Sequence, residues 1–127
     1  PGIPLALHFP ARQFTLLDSN GKKTRFLTEA RIRLGLDSVS VVQSRLEDWR
    51  QEYDQVVCRA LAPLGQLADQ CAHLLVCGGN LIAMKSHPET LSCCHHLRYL
   101  DAIELDVPML ESERWAIRLE RPGAIAS

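Results

Sequence analysis

The alternation of short apolar runs with longer stretches of helical spacing constrains the fold of this chain more than any other feature. Runs of a few apolar residues are typical of buried strands, and apolar residues that recur every three or four positions are typical of helices packed on a sheet. The strand-like runs are 14–18, 39–44, 55–58 and 81–84, and the helix-like stretches are 22–34 and 64–75. Gly35 and the pair Gly78-Gly79 are expected to end these helices. This order predicts βαβ units, and therefore an α/β fold with mostly parallel strands.

The remaining segments predict how the sheet begins and ends. We expect a helix over 1–9, a polar helical stretch over 46–53 and a weaker helix over 89–97. Two β-like segments, 99–107 and 114–120, are separated by a short loop. Because a short connection joins antiparallel neighbours, these two strands are expected to pair antiparallel at the C-terminal edge of the sheet.

Length and composition fit one globular domain. The 127 residues are 46% apolar and 23% charged, with 14 basic against 15 acidic side chains, which excludes collagen-like, disordered and disulfide-framework proteins. No apolar run reaches the roughly 20 residues of a membrane span. A helix at the start of such a fold normally follows a strand, and the chain opens with Pro-Gly-Ile-Pro and no Met. We therefore expect residues 1–127 to form one domain that is truncated at its N-terminus and lacks the first strand.

The charged side chains are unevenly distributed along the chain. Residues 1–50 carry eight Lys/Arg and five Asp/Glu, whereas residues 51–127 carry six and ten. A basic first half is compatible with a face that meets a polyanion such as nucleic acid, and a solvated helix face is the alternative.

The five cysteines include no C-x-x-C pair, which favours reduced thiols in a cytoplasmic protein. The run Cys93-Cys94-His95-His96 suggests metal ligands. However, consecutive helical residues point in different directions, and a zinc site needs about four convergent ligands. We therefore expect no metal site and interpret these cysteines as packing residues of an amphipathic helix.

The residues that follow the strands are the candidates for a binding site, because ligands of open α/β sheets bind at the carboxyl ends of the strands. These residues are Asp18-Ser19-Asn20, Ser44-Arg45-Leu46-Glu47, Arg59-Ala60 and Lys85-Ser86. An acid that closes the second strand of a nucleotide-binding half can accept hydrogen bonds from both ribose hydroxyls. Asp18 is placed for that role, although Asp is also a common turn residue.

Several motifs in a nearly fixed spacing resemble one protein family. They are Pro1-Gly-Ile-Pro-Leu5, Phe14-Thr-Leu-Leu-Asp-Ser19, Gly21-Lys-Lys-Thr-Arg-Phe-Leu27, Val42-Gln-Ser-Arg-Leu-Glu47 and Cys58-Arg-Ala60. This pattern resembles the glucose-inhibited division protein B family, S-adenosylmethionine-dependent methyltransferases that modify N7 of a guanine in 16S ribosomal RNA. The resemblance is specific over 1–60 and looser beyond, through Ala83-Met-Lys85, Val107-Pro108 and the closing strand.

The resemblance implies a fold and a place for this chain within it. The fold is the Rossmann-like class I methyltransferase fold, a mostly parallel sheet with an antiparallel C-terminal edge pair. In that family the Pro-Gly-Ile-Pro motif directly follows a glycine-rich loop that holds the methionine end of the cofactor. The resemblance therefore implies that this chain begins just past that loop, with the strand before the loop missing from it.

The resemblance also implies a set of cofactor residues. Asp18, Ser19 and Asn20 would lie along the ribose and adenine of S-adenosylmethionine, and Leu46 and Glu47 would flank the adenine. Arg59 would face the cofactor and substrate side and is our candidate for a positioning role. The alternatives are that Leu46 is a core residue and that Arg59 forms a surface ion pair with an acid such as Glu47 or Asp54.

The basic residues Lys22, Lys23, Arg25 and Lys85 are candidates for RNA contacts, with a solvated helix start as the alternative for the first three. Lys85 is followed by Ser86 where the family has glycine, which puts the geometry of that loop in doubt. Guanine N7 has a free lone pair and no proton, so the implied reaction needs no general base. We name no catalytic acid or base, because in-line positioning supplies most of the rate.

Three functions compete at this point. The first is an rRNA methyltransferase whose partner is 16S rRNA or the small ribosomal subunit. Such an enzyme is expected to be a cytoplasmic monomer that does not associate with membranes. The second is a non-catalytic, truncated remnant that acts as a binding or interaction module. The third is a nicotinamide-dependent oxidoreductase, because Asp18 suits that ribose equally well. The sequence offers no set of residues for hydride transfer, so we rank the oxidoreductase function last.

Overall fold

A computed structural model describes residues 2–59, 62–90, 96–105 and 114–123 of the chain. The chain divides into two compact units, Pro1–Trp49 and Arg50–Ser127. Each unit contains its own sheet, and each is described separately below. No helix in the described ranges has the length and apolar character needed to cross a membrane.

The first unit is built on a pair of parallel strands. Its elements are helix α1 (Gly2–His8), strand β1 (Phe14–Asp18), helix α2 (Gly21–Leu34), strand β2 (Val39–Gln43) and a 3-10 turn over Leu46–Asp48. Strands β1 and β2 run parallel with Phe14 beside Val39 and Asp18 beside Gln43. The buried side chains of Ala6, Leu16, Leu36 and Val39 form the core of this unit. The β-α-β order therefore brings the carboxyl ends of β1 and β2 to the same edge.

Helix α2 begins and ends at residues suited to those positions. The side-chain oxygen of Asn20 accepts hydrogen bonds from the backbone N–H groups of Lys22 and Lys23, which have no partner inside the helix. Gly35 ends the helix in the left-handed conformation, at φ 64°, where a Cβ atom would be strained. Its N–H donates to the carbonyl oxygens of Arg31 and Ile32. These two caps fix the length of α2 between the two strands.

The second unit is a mixed sheet with one described helix. Its elements are strand β3 (Tyr53–Arg59), helix α3 (Leu64–Cys71), a 3-10 turn over Ala72–Leu74, and strands β4 (Leu75–Lys85), β5 (Arg98–Leu105) and β6 (Arg114–Glu120). The strand order is β3-β4-β6-β5. Strands β3 and β4 are parallel, and β6 lies antiparallel between β4 and β5.

The core of the second unit is aliphatic. Its fully buried side chains come from α3, β4 and β6 and include Leu64, Leu75, Leu81, Ile117 and Leu119. On β4 the side chains of Leu81, Ala83 and Lys85 are buried at every second position. This alternation is the period of a strand with one covered face. The last residue of this buried series is therefore a lysine.

The alternation of strands and helices predicted from sequence is confirmed for most elements. The helices expected over 1–9 and 22–34 and the four early strands are present, and the last two strands pair antiparallel as expected. The expectation of a helix over 46–53 is wrong, because only the 3-10 turn at its start forms. The stretch 50–52 adds three polar residues and so no apolar stripe to bury.

The pair Gly78-Gly79 does not end a helix. Helix α3 stops at Cys71, and β4 already begins at Leu75. The Gly78 N–H donates to the Arg121 carbonyl oxygen over 2.8 Å, and the Arg121 N–H donates to Gly79 over 2.9 Å. Gly78 has φ 83°. The β3–β4 register shifts between the pair formed by Leu75, before the glycines, and the pair formed by Asn80, after them. The two glycines therefore form an irregularity inside a strand. Most of the helix expected over 89–97 lies outside the described residues, and Glu89 and Thr90 are not helical.

Candidate functional site

Two loops leave the first unit from the same edge of its sheet. Asp18 ends β1 and Gln43 ends β2, and these residues are neighbours in the parallel register. The Ser44 N–H donates to the Asp18 carbonyl oxygen over 3.1 Å. The segment after β1 and the segment that leads to Leu46 and Glu47 therefore start side by side, as the sequence predicts for residues at the carboxyl ends of parallel strands.

Asp18 and Asn20 shape the first of these loops. One carboxylate oxygen of Asp18 accepts the Asn20 N–H over 2.8 Å. The Asn20 side-chain oxygen in turn accepts the N–H groups of Lys22 at 2.9 Å and Lys23 at 3.2 Å. Asp18 is half-buried, whereas Ser19 and Asn20 are exposed. The loop is thus held by its own side chains, and the Asp18 carboxylate keeps acceptor capacity for a further donor such as a hydroxyl.

Gln43 supports this loop and was not among the site residues predicted from sequence. Its Nε2 donates to the Ser19 carbonyl oxygen over 3.4 Å. The same amide lies against Gly21, where an added Cβ atom would be 3.3 Å from Nε2. The signal in the sequence is positional, because Gln43 ends the strand parallel to β1 and is the register partner of Asp18. A glycine at position 21 leaves room for this contact.

Leu46 and Glu47 lie in the 3-10 turn that follows β2. Leu46 is half-buried and Glu47 is exposed. An apolar side chain beside a free carboxylate can contact the face of an aromatic base and accept hydrogen bonds from its amino group. The family resemblance implies this chemistry for the residues that would flank the adenine.

The RNA-contact candidates of the first unit lie at the start of α2. Lys22, Lys23 and Arg25 are all exposed. The Arg25 Nε donates to the Gly21 carbonyl oxygen over 3.3 Å, which keeps this side chain beside the helix start. The positive end of the helix dipole adds to the side-chain charges there. Three exposed cations within four residues can contact phosphate groups.

The second unit contains the other two basic candidates, and their surroundings differ. Arg59 ends β3, is exposed and forms no ion pair with Asp54 or any other described residue of its unit. Lys85 ends β4 and is 7% exposed. Its Nζ donates to the Ala62 carbonyl oxygen over 2.7 Å and to the Glu89 carboxylate over 2.5 Å. The Lys85 ammonium is thus already bonded, whereas Arg59 is exposed and has no ion pair within the described part of its unit.

Lys85 affects the pKa values of two neighbouring ionisable groups. The hydrogen bond from Lys85 lowers the pKa of Glu89 below its usual 4.5, and the Leu64 N–H lowers it further, while partial burial opposes both. Burial raises the pKa of the Cys58 thiol to about 11, and the Lys85 charge opposes this rise. Cys58 is therefore a packing residue and not a thiolate nucleophile.

The run Cys93-Cys94-His95-His96, considered above for metal binding, lies mostly outside the described residues. Within the described ranges, no three His, Cys, Asp or Glu side chains are close enough to hold a metal ion.

Comparison with known proteins identifies relatives of this chain. The family model GidB, described as rRNA small subunit methyltransferase G, matches residues 1–115. The ribosomal RNA small subunit methyltransferase G of Hydrogenovibrio crunogenus is 44% identical over an alignment of 126 positions, which covers 95% of this chain and 58% of the relative. The protein of the same name from Klebsiella pneumoniae is 43% identical over an alignment of 119 positions, which covers 90% of this chain and 58% of the relative. The chain thus spans a little under three-fifths of these curated relatives.

Solved structures share the fold at low sequence identity. A putative methyltransferase from Thermoplasma acidophilum has a TM-score of 0.64 and 16% identity, over 88% of this chain and 58% of that one. TYW2 of M. jannaschii, solved in complex with AdoMet, has a TM-score of 0.69 and 13% identity, over 94% and 63% of the two chains. These likenesses confirm the predicted Rossmann-like class I methyltransferase fold, with parallel strand pairs and antiparallel strands at the C-terminal edge.

Proposed function

We propose a function from the premise that this chain belongs to the GidB family of rRNA small subunit methyltransferases G. In this proposal, the protein transfers a methyl group from S-adenosylmethionine to guanine N7 in 16S rRNA. The structural observation that carries the proposal is the paired edge of β1 and β2, where the loop after Asp18 and the segment that leads to the turn over Leu46–Asp48 start side by side. Ribosomal RNA, free or in the small subunit, is the proposed partner, and the cytoplasm is the proposed compartment.

The residues at this edge fit the nucleoside part of the cofactor. A half-buried carboxylate with spare acceptor capacity, at Asp18, suits a ribose diol. The exposed Ser19 and Asn20 extend this polar edge, and Leu46 and Glu47 offer an apolar contact and an acceptor to the adenine. The bound cofactor would supply an electrophilic methyl group on a sulfonium. The residues of this chain would bind and orient it.

The proposed reaction needs little proton chemistry from side chains. Guanine N7 has a lone pair and no proton to lose, so alignment with the methyl group is the main requirement. The exposed Arg59 has no ion-pair partner among the described residues of its unit, and we assign it the positioning of substrate or cofactor. Lys22, Lys23 and Arg25 are assigned to RNA phosphates.

Calorimetry tests the cofactor assignment. The full-length protein is titrated with S-adenosylmethionine, S-adenosylhomocysteine and NAD, and the Asp18→Asn variant is compared with Asp37→Asn, an exposed acid before β2. Loss of a charge-assisted hydrogen bond costs about 1.5–3 kcal/mol, so we expect Asp18→Asn to weaken binding about 10- to 100-fold. Equal affinities of the two variants would contradict the assignment, and preferential NAD binding would support an oxidoreductase.

Methylation of 16S rRNA and of small ribosomal subunits tests the reaction. We expect N7-methylguanosine, detected by mass spectrometry of the digested RNA, from the full-length protein and not from Arg59→Ala. Lys23→Gln should bind RNA more weakly than wild type. The slope of its log affinity against log salt concentration should be shallower by about one. Arg33→Gln is the control, because Arg33 pairs with Glu29 on α2 at 2.7 Å. Cofactor binding without any methyl transfer would instead support a non-catalytic binding module.

A further inference from the structure

Lys85 is a buried cation, and both of the hydrogen bonds that its side chain forms with described residues stay inside the second unit. Its side chain is 6% exposed. Burial of an ammonium group is costly unless partners replace its water. Here the Ala62 carbonyl oxygen lies 2.7 Å away and the Glu89 carboxylate 2.5 Å away. A side chain held in this way is directed towards the protein, which separates Lys85 from the exposed cations Lys22, Lys23 and Arg25.

The hydrogen bond from Lys85 attaches Ala62, three residues after Arg59, to the end of β4. Upstream, Arg59 is the register partner of Met84 in the parallel β3–β4 pair. Downstream, Ala62 is held by Lys85, the residue next to Met84. Two consecutive residues of β4, Met84 and Lys85, thus contact Arg59 and Ala62 respectively. The end of β4 is therefore a common support for Arg59 and Ala62.

Glu89 extends the same connection to the start of α3. Its first carboxylate oxygen accepts from Lys85, and its second accepts the Leu64 N–H over 3.1 Å. Leu64 is the first residue of the helix, and the preceding Pro63 provides no side-chain cap. Glu89 therefore serves as the cap from a different loop. A carboxylate at this end of a helix also interacts favourably with the helix dipole.

We propose that Lys85 and Glu89 form a positioning pair that holds Ala62, three residues after Arg59, and the start of α3 in the geometry required for methyl transfer. The proposal rests on the proposed function and deepens it. Lys85 acts through Arg59 and touches neither RNA nor cofactor. This role differs from the phosphate contact suggested by the charge of Lys85 in the sequence. Changes to Lys85 should lower the rate of the bound complex and leave the salt dependence of RNA binding unchanged.

The central experiment compares Lys85→Met, Lys85→Arg and Glu89→Gln in the full-length enzyme. Single-turnover methylation is measured at saturating RNA and cofactor and divided by the folded fraction from circular dichroism. Because small misplacements of a positioned group can cost up to about 100-fold, we expect Lys85→Met to be about 10- to 100-fold slower per folded molecule. Lys85→Arg, which keeps the charge and the donors, should stay within about threefold of wild type. The matched control is Arg98→Met, which removes the more exposed Arg98–Glu120 ion pair of the same unit.

Three results would overturn the proposal. The first is a Lys85→Met rate per folded molecule within twofold of wild type. The second is a salt slope of RNA binding that falls by about one, as expected for a lost phosphate contact. The third is additive rate losses in the Lys85→Met/Glu89→Gln double variant, because two members of one pair should show a smaller combined loss.

A readout that does not depend on methylation separates this proposal from the proposed function. In Lys85→Met the freed Glu89 should cap α3 less well, so the Leu64 amide should exchange with solvent at least about tenfold faster. The amide of Leu81, in the middle of β4, serves as the reference for global unfolding. Unchanged Leu64 exchange in a folded variant would contradict the positioning pair, even if the wild-type enzyme methylated no RNA. This measurement also applies if Lys85→Met is too unstable for turnover assays, because Glu89→Gln can replace it.

Discussion

Substitution of Asn20 gives the sharpest test of how the loop after β1 is held. The Asn20 side-chain oxygen accepts two backbone N–H groups, of Lys22 at 2.9 Å and Lys23 at 3.2 Å. In Asn20→Ala both donors lose this acceptor. Because Asn20 is exposed, water replaces part of the loss, and removal of such a cap costs about 1 kcal/mol, within a range of about 0.5–2 kcal/mol.

The assay is urea unfolding of the full-length protein, followed by the circular dichroism of its helices. With a slope of about 1–3 kcal/mol per molar urea, a loss of about 1 kcal/mol lowers the midpoint by about 0.3–1 M. Asn20→Asp keeps the acceptor oxygen and adds negative charge at the positive helix end, so it should be at least as stable as wild type. Asn20→Gly should lose only a few tenths of a kcal/mol.

Ser19→Ala is the control, because it changes an exposed residue of the same loop that caps no helix. Its unfolding free energy should stay within about 0.5 kcal/mol of wild type. The reasoning is refuted if Asn20→Ala and Ser19→Ala share one midpoint, or if Asn20→Asp is as unstable as Asn20→Ala.

Three further predictions concern the second unit. Leu81 is 0% exposed, so Leu81→Ala should lower the unfolding free energy by about 2–5 kcal/mol in urea titrations, and a loss below about 1 kcal/mol would contradict its place in the core. With a pKa of about 11, the thiol of Cys58 is ionised in roughly one molecule per thousand at pH 8. Iodoacetamide should therefore label the exposed Cys77 before Cys58, as followed by peptide mass spectrometry. Equal labelling rates of the two cysteines would refute this order. The lowered pKa of Glu89 stabilises the fold above about pH 4.5, and this stability is lost as the pH falls through the folded value. The urea midpoints of wild type and Glu89→Gln should therefore converge below about pH 4.5, and a constant difference would argue against the ion pair with Lys85.

Local signals in the sequence account for much of the first unit. A five-residue apolar run ending at Asp18, a turn at Asn20-Gly21, and helical spacing up to Gly35 are enough to place β1, α2 and β2. Each boundary is set by a neighbouring residue, such as the Asn20 cap or the left-handed Gly35. The adjacency of the segments after β1 and β2 then follows from parallel pairing.

The errors arise where distant residues decide the structure. Apolar residues continue at helical spacing past Cys71, but Leu75 belongs to β4 because it pairs with Tyr53 of β3. The Gly78-Gly79 pair has the composition of a helix end, and only its hydrogen bonds with Arg121 make it part of a strand. The burial of Lys85 was likewise missed, since its partners, Ala62 and Glu89, belong to other segments. A charge in a sequence does not reveal whether its partners are solvent or protein.

The place of β6 between β4 and β5 has a consequence for synthesis of the protein. Strand β6 begins at Arg114 and supplies backbone partners to both of its neighbours. Until it leaves the ribosome, the edge of β4 that will pair with it stays open, and an open edge can pair with other chains. Ribosome-bound nascent chains that stop before Arg114 should therefore aggregate more readily than those that continue past Glu120. The last of the described strands to be synthesised therefore protects the edge of β4.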